Sequence, residues 1–434
     1  MYYLIFILFA YLLFNNFLWF SISIFLFLII FLFFKKEKSF IFLFVFGAIL
    51  LFFNYFNNIN FNYINHNEKF INGDFLINDF SEISKDKKVV SAFPFEIFYE
   101  NDLNLYRGQI VEVAGYKYKN KIYVTEIIVK KEGNFIFHFF SNIRQKLYSR
   151  LGDSNFKSLV ESFIFGDKNS LDFETRENFK ITGLMHLLAL SGLHIGIIAG
   201  FLSFLLSFFL RKSLVFYFVS FFLILYVFLS GFSPSVFRAA FMFIILYYYT
   251  FFESLNVEVF DVLLFTAFVS IVFFPEFLFN IGFWLSYFAF GGILFFSEFF
   301  DIVFQNLPTF IQKSFSITLS ANIATAPLIL YYFGSINLIC FLSNLVIIPL
   351  FSIFLVFLFI AYLFSFFSVN FYFISLFLWN LIKRIVEIFS YIKINIKVED
   401  FSIFHFFVFF VVFILLFFSS RLFFYLRLKR IEKI

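Results

Sequence analysis

The sequence has a single cysteine, Cys340, among 434 residues. That count excludes a disulfide scaffold and a cysteine-ligated zinc or iron–sulfur site. Histidine is almost as scarce: His66, His138, His186, His194 and His405 are the whole set, and no HExxH or HxHxDH run joins them. No GxxxxGK[ST] stretch occurs, so the chain carries no P-loop of its own. Charged residues make up only 14%, against roughly 25% in soluble domains. No metal, no cofactor and no catalytic residue is expected.

What is present is grease. Hydrophobic side chains reach 62%, and Phe alone supplies 89 residues. Mean hydropathy is +0.93. Long aromatic-aliphatic runs without charge read as membrane spans, so the expected fold is a polytopic α-helical membrane protein. The surplus of Phe, Ile, Asn and Lys is what an AT-rich genome produces, and the Phe excess alone carries no functional message.

Residues 1–53 hold three apolar blocks, read as N-terminal membrane helices. Lys35-Lys36-Glu37-Lys38 between the second and third is cytoplasmic by the positive-inside rule, which leaves the stretch after Phe53 outside. Residues 54–134 are the one soluble island. Alternation predicts short strands at Lys87–Ala92, Glu96–Tyr99, Gln109–Gly115 and Lys121–Lys130, with 108–115 and 116–124 forming a hairpin. Such an extracytoplasmic β domain suits a small Greek-key barrel of the OB type. Residues 135–182 are expected to form basic amphipathic helices at the membrane surface. Residues 183–425 are nearly all membrane, with spans near 186–210, 213–230, 239–252, 260–274, 277–299, 313–333, 350–367, 370–391 and 404–425. Residues 426–434 form a basic cytoplasmic tail. About ten to twelve spans are expected in all, some broken or re-entrant; Arg211-Lys212 and the basic tail both fall inside if Leu338–Pro349 is a re-entrant element rather than a crossing.

Three clusters interrupt the apolar background. One holds His186, Ser191, Gly192 and His194; a second Gly231, Ser233, Pro234, Ser235 and Arg238; a third Asn322, Pro327 and Asn344. Broken helices at membrane depth must be buried in protein or line a watery cavity, so all twelve residues are candidates for a permeation path. Each has a plainer reading. A buried histidine can simply bond a backbone carbonyl, small residues pack helices, and the proline turn could place Arg238 near headgroups. On the island, Lys117, Lys119 and Lys121 alternate with Tyr116, Tyr118 and Tyr123. Rings that stack bases and cations that neutralise phosphate make these six external DNA-binding candidates. Lysines that protect a strand edge give the same pattern, and residues 54–134 carry ten Lys/Arg against eleven Asp/Glu.

His186-Leu-Leu-Ala-Leu-Ser-Gly-Leu-His194 resembles the signature of the ComEC family of DNA-uptake channels, also called the competence domain. Phe165-Gly-Asp-Lys-Asn-Ser-Leu171 is similar to the family's Gly-Asp element, and Pro234-Ser-Val-Phe-Arg238-Ala to its Pro-Ser-Val-x-Arg-Ala turn. Phe283-Trp-Leu-Ser-Tyr-Phe288, Asn322-Ile-Ala-Thr-Ala-Pro327 and Leu342-Ser-Asn-Leu-Val-Ile-Ile-Pro349 follow in the family's order. The resemblance covers roughly residues 160–355. It implies an inner-membrane, multi-pass channel passing single-stranded transforming DNA into the cytoplasm, with an OB-like domain before the core. Some family members carry a further metallo-β-lactamase-like domain. The absence of a metal motif makes this chain resemble a short form that is not itself an enzyme.

Each phosphate entering a negative interior costs about 2.3 kcal/mol per 100 mV, so something must drive the strand. A cytoplasmic ATPase or DNA-binding protein is expected as partner, or proton coupling through His186 or His194. An upstream periplasmic DNA receptor is expected as well, and a homo-oligomer is left open. Two rivals are a secondary transporter for a small anionic solute and, further off, an envelope polysaccharide polymerase or ligase.

Overall fold

The computed structural model describes residues 70–397, less the stretches 78–81, 85–86, 93–94, 101–104, 119–120, 168–169, 254–257, 275–276 and 366–370 and the positions 108, 132, 134, 279 and 393. The N-terminal helices expected over 1–53, the span expected at 404–425 and the tail at 426–434 lie outside the described residues.

Period-two alternation between residues 70 and 131 becomes six strands: β1 (Phe70–Leu76), β2 (Glu82–Ser84), β3 (Lys87–Ala92), β4 (Phe95–Tyr99), β5 (Ile110–Tyr118) and β6 (Lys121–Lys131). They pair in the order β1-β5-β6-β4-β3-β2, antiparallel throughout except for β4 with β6. Ile97, Val111, Val113 and Ile122 point inward and are fully buried, as the alternation requires. β1 and β2 are consecutive in the chain yet stand at opposite ends of this order. Ile77 N–H donates to the Gln109 carbonyl at 2.9 Å and carries the β1–β5 pairing one step further.

The helical part begins with α1 (Phe135–Ser149) and α2 (Ser154–Val160), which passes into a π-helical turn at Glu161–Phe165. Asp153 caps α2 by accepting from Phe156 N–H at 2.8 Å. The interlude expected at the membrane surface divides in two. α1 keeps exposed rings at Phe135 and Phe139, whereas Phe163 is wholly buried against Trp379, Phe354 and Phe351 at 4.9, 5.3 and 5.4 Å. α3 (Phe173–Ile181) and the single turn α4 (Met185–Leu188) lead into α5 (Gly192–Ser207). α6 (Lys212–Leu229), α7 (Pro234–Tyr248), α8 (Val259–Phe273), α9 (Ile281–Val303), α10 (Thr309–Phe333), α11 (Cys340–Ser365) and α12 (Phe373–Ser390) follow, with a small ladder of β7 (Ser335–Asn337) and β8 (Asn395–Lys397).

Among the described residues five helices are long and apolar enough to cross a membrane: α6, α7 with its π-helical extension to Phe252, α9, α10 and α11. The chain is a helical membrane protein. α9 and α10 pack closely at Gly292, which has no side chain: a Cβ there would stand 2.6 Å from the Ser320 carbonyl oxygen.

The third polar cluster does not break its helices. α10 runs through Asn322 and Pro327, and α11 runs through Asn344 and Pro349. Leu338–Pro349 is therefore not a re-entrant element; from Cys340 it is the opening part of a 26-residue helix. A proline removes one backbone donor, and the neighbouring bonds of so long a helix hold it together.

Candidate functional site

The first cluster does leave the helix. After α4 the chain extends at Ala189 and again at Ser191, and α5 starts at Gly192. Ser191 does not cap α5 with its hydroxyl; its Oγ pairs with His194 Nδ1 at 3.1 Å. His194 is fully buried, its ring edge-on to Phe351 at 5.4 Å, and Nε2 finds no partner among the described residues. The expected histidine–carbonyl bond belongs instead to His186, whose Nδ1–H donates to Gly183 O at 3.2 Å.

The second cluster is a tight turn. Gly231 (φ 83°) and Phe232 (φ 60°) are both left-handed, and Pro234 then opens α7, where its missing N–H is harmless. Ser235 Oγ donates to the Gly282 carbonyl at 3.2 Å. Ser233 precedes the helix without a side-chain cap.

Arg238, one turn into α7, is where three motifs meet. It is 6% exposed. Nε–H donates to Ser286 Oγ at 2.9 Å and Nη1 to Met242 Sδ at 3.4 Å. The guanidinium lies over Phe290 at 5.1 Å and Tyr287 at 5.7 Å. Gly192 faces it from the first motif, and a Cβ there would stand 3.0 Å from Nη2. A buried guanidinium held by a hydroxyl, a thioether and ring faces is a seat shaped for that side chain, with no carboxylate in it among the described residues.

The third cluster sits apart. Asn322 Nδ2 donates to Cys340 Sγ at 3.4 Å, and Asn344 Nδ2 to Thr318 Oγ1 at 3.4 Å. Its link to the first motif runs through Ser343, whose Oγ donates to the Thr182 carbonyl at 3.0 Å. Gly183 (φ 73°) allows that approach, since a Cβ there would stand 2.8 Å from Cys340 Cβ. The Gly-Asp element joins too: a Cβ on Gly166 (φ 87°) would meet Leu190 Cδ1 at 2.8 Å.

Behind that element lies a polar group the sequence did not single out. Glu161 accepts from Ser170 Oγ at 2.7 Å, and burial raises its carboxyl above the ordinary range, with Asp167 adding to the rise. Burial, with a hydrogen bond to Glu161, likewise pushes the Tyr148 phenol up. A polar cleft of about 380 Å³ opens between α3 and α12, with Asn178 and Asp172 on one wall and Asn380, Lys383 and Arg384 on the other. Burial would raise the Asp172 carboxyl, but hydrogen bonds from Thr175 and the charge of Lys383 outweigh it and hold it below the ordinary range.

On the β unit, Tyr116 and Tyr123 stand opposite one another across β5 and β6. Phe70 pairs with Tyr116 from β1, and Phe98 with Tyr123 from β4. The rings meet at 5.2 Å edge-on and 5.3 Å stacked. One aromatic row therefore crosses four strands, with Phe70, Tyr116 and Tyr123 at 45, 58 and 40% exposure. Lys117 and Tyr118 end β5 and Lys121 starts β6, while Lys119 lies outside the described residues. Phe70 and Phe98 escaped the sequence reading because only strand register brings them into the row.

The competence protein family matches residues 163–423, more than half of the chain. The chain belongs to that family. It is 28% identical over 195 residues to ComE operon protein 3 of Bacillus subtilis (strain 168), covering 45% of this chain and 24% of that one. Recombination protein 2 of Haemophilus influenzae (strain ATCC 51907 / DSM 11121 / KW20 / Rd) is 29% identical over 224 residues, 46% of this chain and 27% of the relative. A protein of Aquifex aeolicus (strain VF5) is 33% identical over 188 residues, 43% of each chain. The chain thus spans less than half the length of the curated relatives it matches. No solved structure matches it.

Proposed function

We propose that this competence-family protein is an inner-membrane channel that passes single-stranded DNA into the cytoplasm. The observation that carries the reading is the exposed aromatic row Phe70–Tyr116–Tyr123–Phe98. Stacking on such a row accepts any base, which suits uptake without sequence choice. The β unit is read as an OB-type barrel. Its pairing supports this: β1 and β2 act as two halves of one first strand, and the parallel β4–β6 pair is the crossover that such a barrel contains.

The orientation follows from charge. Arg211 and Lys212 begin α6 on the cytoplasmic side, and Lys212 meets Phe251 at 5.5 Å there. The Gly231–Ser233 turn and the β unit then face outward. With no P-loop in the chain, a cytoplasmic ATPase or DNA-binding partner drives the strand, and a periplasmic receptor delivers it. Enclosure of Arg238 by Ser286, Met242 and aromatic rings speaks against it as the anion site of a solute transporter, and equally against a direct contact with a DNA phosphate.

The test follows labelled DNA in cells lacking this gene, with periplasm and cytoplasm separated. Label that reaches the periplasm but not the cytoplasm is the expected result. Unchanged cytoplasmic delivery overturns the channel reading.

A further inference from the structure

Arg107 lies in the loop between β4 and β5, and nothing in the local sequence marks it out. It is 6% exposed. Its Nη1–H donates to the Phe232 carbonyl at 3.1 Å. Four rings surround the guanidinium: Phe232 at 5.0 Å, Phe277 at 5.1 Å, Phe137 at 5.7 Å and Phe274 at 5.8 Å. Those rings come from α1, from the α6–α7 turn and from the segment that follows α8. A cation in such a box gains from every ring face, and more so where water is excluded.

Both partners are held firmly. On the β side, Tyr106 N–H donates to Gln109 Oε1 at 2.9 Å, and Tyr106 packs on His138 of α1 at 5.1 Å. Gly133 lets the chain pass close, since a Cβ there would stand 2.8 Å from the Arg107 carbonyl oxygen. On the helical side, Phe232 is the one described non-glycine residue with a left-handed backbone (φ 60°), and its carbonyl is the atom Arg107 grips. A phenylalanine rarely holds that conformation unless its surroundings impose it. The same turn leads through Pro234 straight into the first turns of α7, which carry Arg238.

We propose that Arg107 is a positioning residue for DNA passage: it keys the β unit onto the mouth of the helical domain and fixes the Gly231–Ser233 turn from which α7 departs. The proposal rests on the channel reading for its functional half only. Its structural half is independent.

The experiment uses the full chain in cells: a reporter thiol at Ser233→Cys is probed by a membrane-impermeant maleimide, and DNA delivery is measured separately in chains that keep Ser233. The native Cys340 is buried. In Arg107→Ala the reporter reacts about tenfold faster, and cytoplasmic delivery of DNA falls about tenfold, as expected when a desolvated ring box loses its cation. Arg107→Lys keeps the charge over the rings and restores both readouts most of the way. Arg107→Gln keeps a donor for the Phe232 carbonyl without the charge, and serves in place of Arg107→Ala should that variant fail to accumulate. Binding of single-stranded DNA to the outer face stays within about twofold, because the aromatic row is intact. Unchanged labelling in Arg107→Ala and Arg107→Gln overturns the key. Faster labelling with unchanged delivery overturns its role in passage. Normal delivery in cells lacking the gene overturns the channel reading, and the labelling result stands apart from it.

Discussion

A Cβ built on Gly192 would stand 3.0 Å from Nη2 of Arg238, so the first residue of α5 is the floor under that guanidinium. Gly192→Ala then asks the arginine to shift by a few tenths of an ångström, and the variant is made at near-normal levels. Gly192→Val displaces the guanidinium and costs about 1–3 kcal/mol, as overpacking does. Adding Arg238→Ala to Gly192→Val recovers part of the loss, because the cavity takes the new methyls. Thermal unfolding in detergent of the two singles and the double checks the coupling; strictly additive losses rule it out.

Ser286 holds Arg238 through one charge-assisted hydrogen bond. Ser286→Ala should cost about 1.5–3 kcal/mol, while Ser235→Ala, whose bond to a carbonyl is neutral, costs about 1 kcal/mol. The same melts rank the two, and a reversed order rules out the seat described here.

Tyr116→Ala and Tyr123→Ala each remove a stacking face from an exposed row. Each should weaken binding of single-stranded DNA by about 1–3 kcal/mol, while the lost cross-strand ring pair costs only about 0.2–1 kcal/mol of stability. Fluorescence titration of the purified protein with an oligonucleotide of mixed sequence measures it. Equal affinity in both variants removes the row from the binding surface.

Asp172 caps α3, accepting from Thr175 N–H at 2.6 Å and from Thr175 Oγ1 at 2.9 Å. Its carboxyl is held below the ordinary range, so its contribution is present above that range and fades as pH falls through the lowered value. Asp172→Ala should cost about 1 kcal/mol at neutral pH and progressively less in acid. Melting against pH tests the convergence of the two curves.

Glu161 has the opposite sign. Its raised carboxyl binds a proton more tightly in the folded chain, so stability is full at low pH and declines as pH rises through the elevated value. Glu161→Gln should flatten that decline and melt higher than the parent at neutral pH. A variant that melts lower at every pH shows instead that the carboxylate's bond with Ser170 is what counts.

Much of the scaffold could be read from residue order because local patterns wrote it. Alternation located β3 at Lys87–Ala92, and Gly231 with Pro234 announced a break. Where several local rules compete, the reading failed. Pro327 and Pro349 are expected to break their helices, yet α10 and α11 continue through them, since one lost donor leaves the other bonds of helices of 25 and 26 residues in place. The site was legible as ordered motifs and illegible as contacts. Nothing in the string says that Gly192 touches Arg238, that Phe70 and Phe98 flank the tyrosines, or that Arg107 leaves its own domain. Those relationships are set by register and by crossings between distant helices. The cleft cations Lys383 and Arg384 were missed for a related reason: α12 reads as another span until α3 is placed beside its polar stripe.

The seat of Arg238 holds no carboxylate among the described residues, so a net positive charge is fixed within a poorly polarisable medium. Its influence extends beyond the atoms it touches. At an effective dielectric constant of 20, a unit anion 10 Å away is attracted by about 1.7 kcal/mol. A polyanion threading the domain nearby would feel a shallow electrostatic well along its route, deep enough to offset part of the image-charge barrier. On the channel reading, such a well would be the same for every nucleotide and would grip none of them.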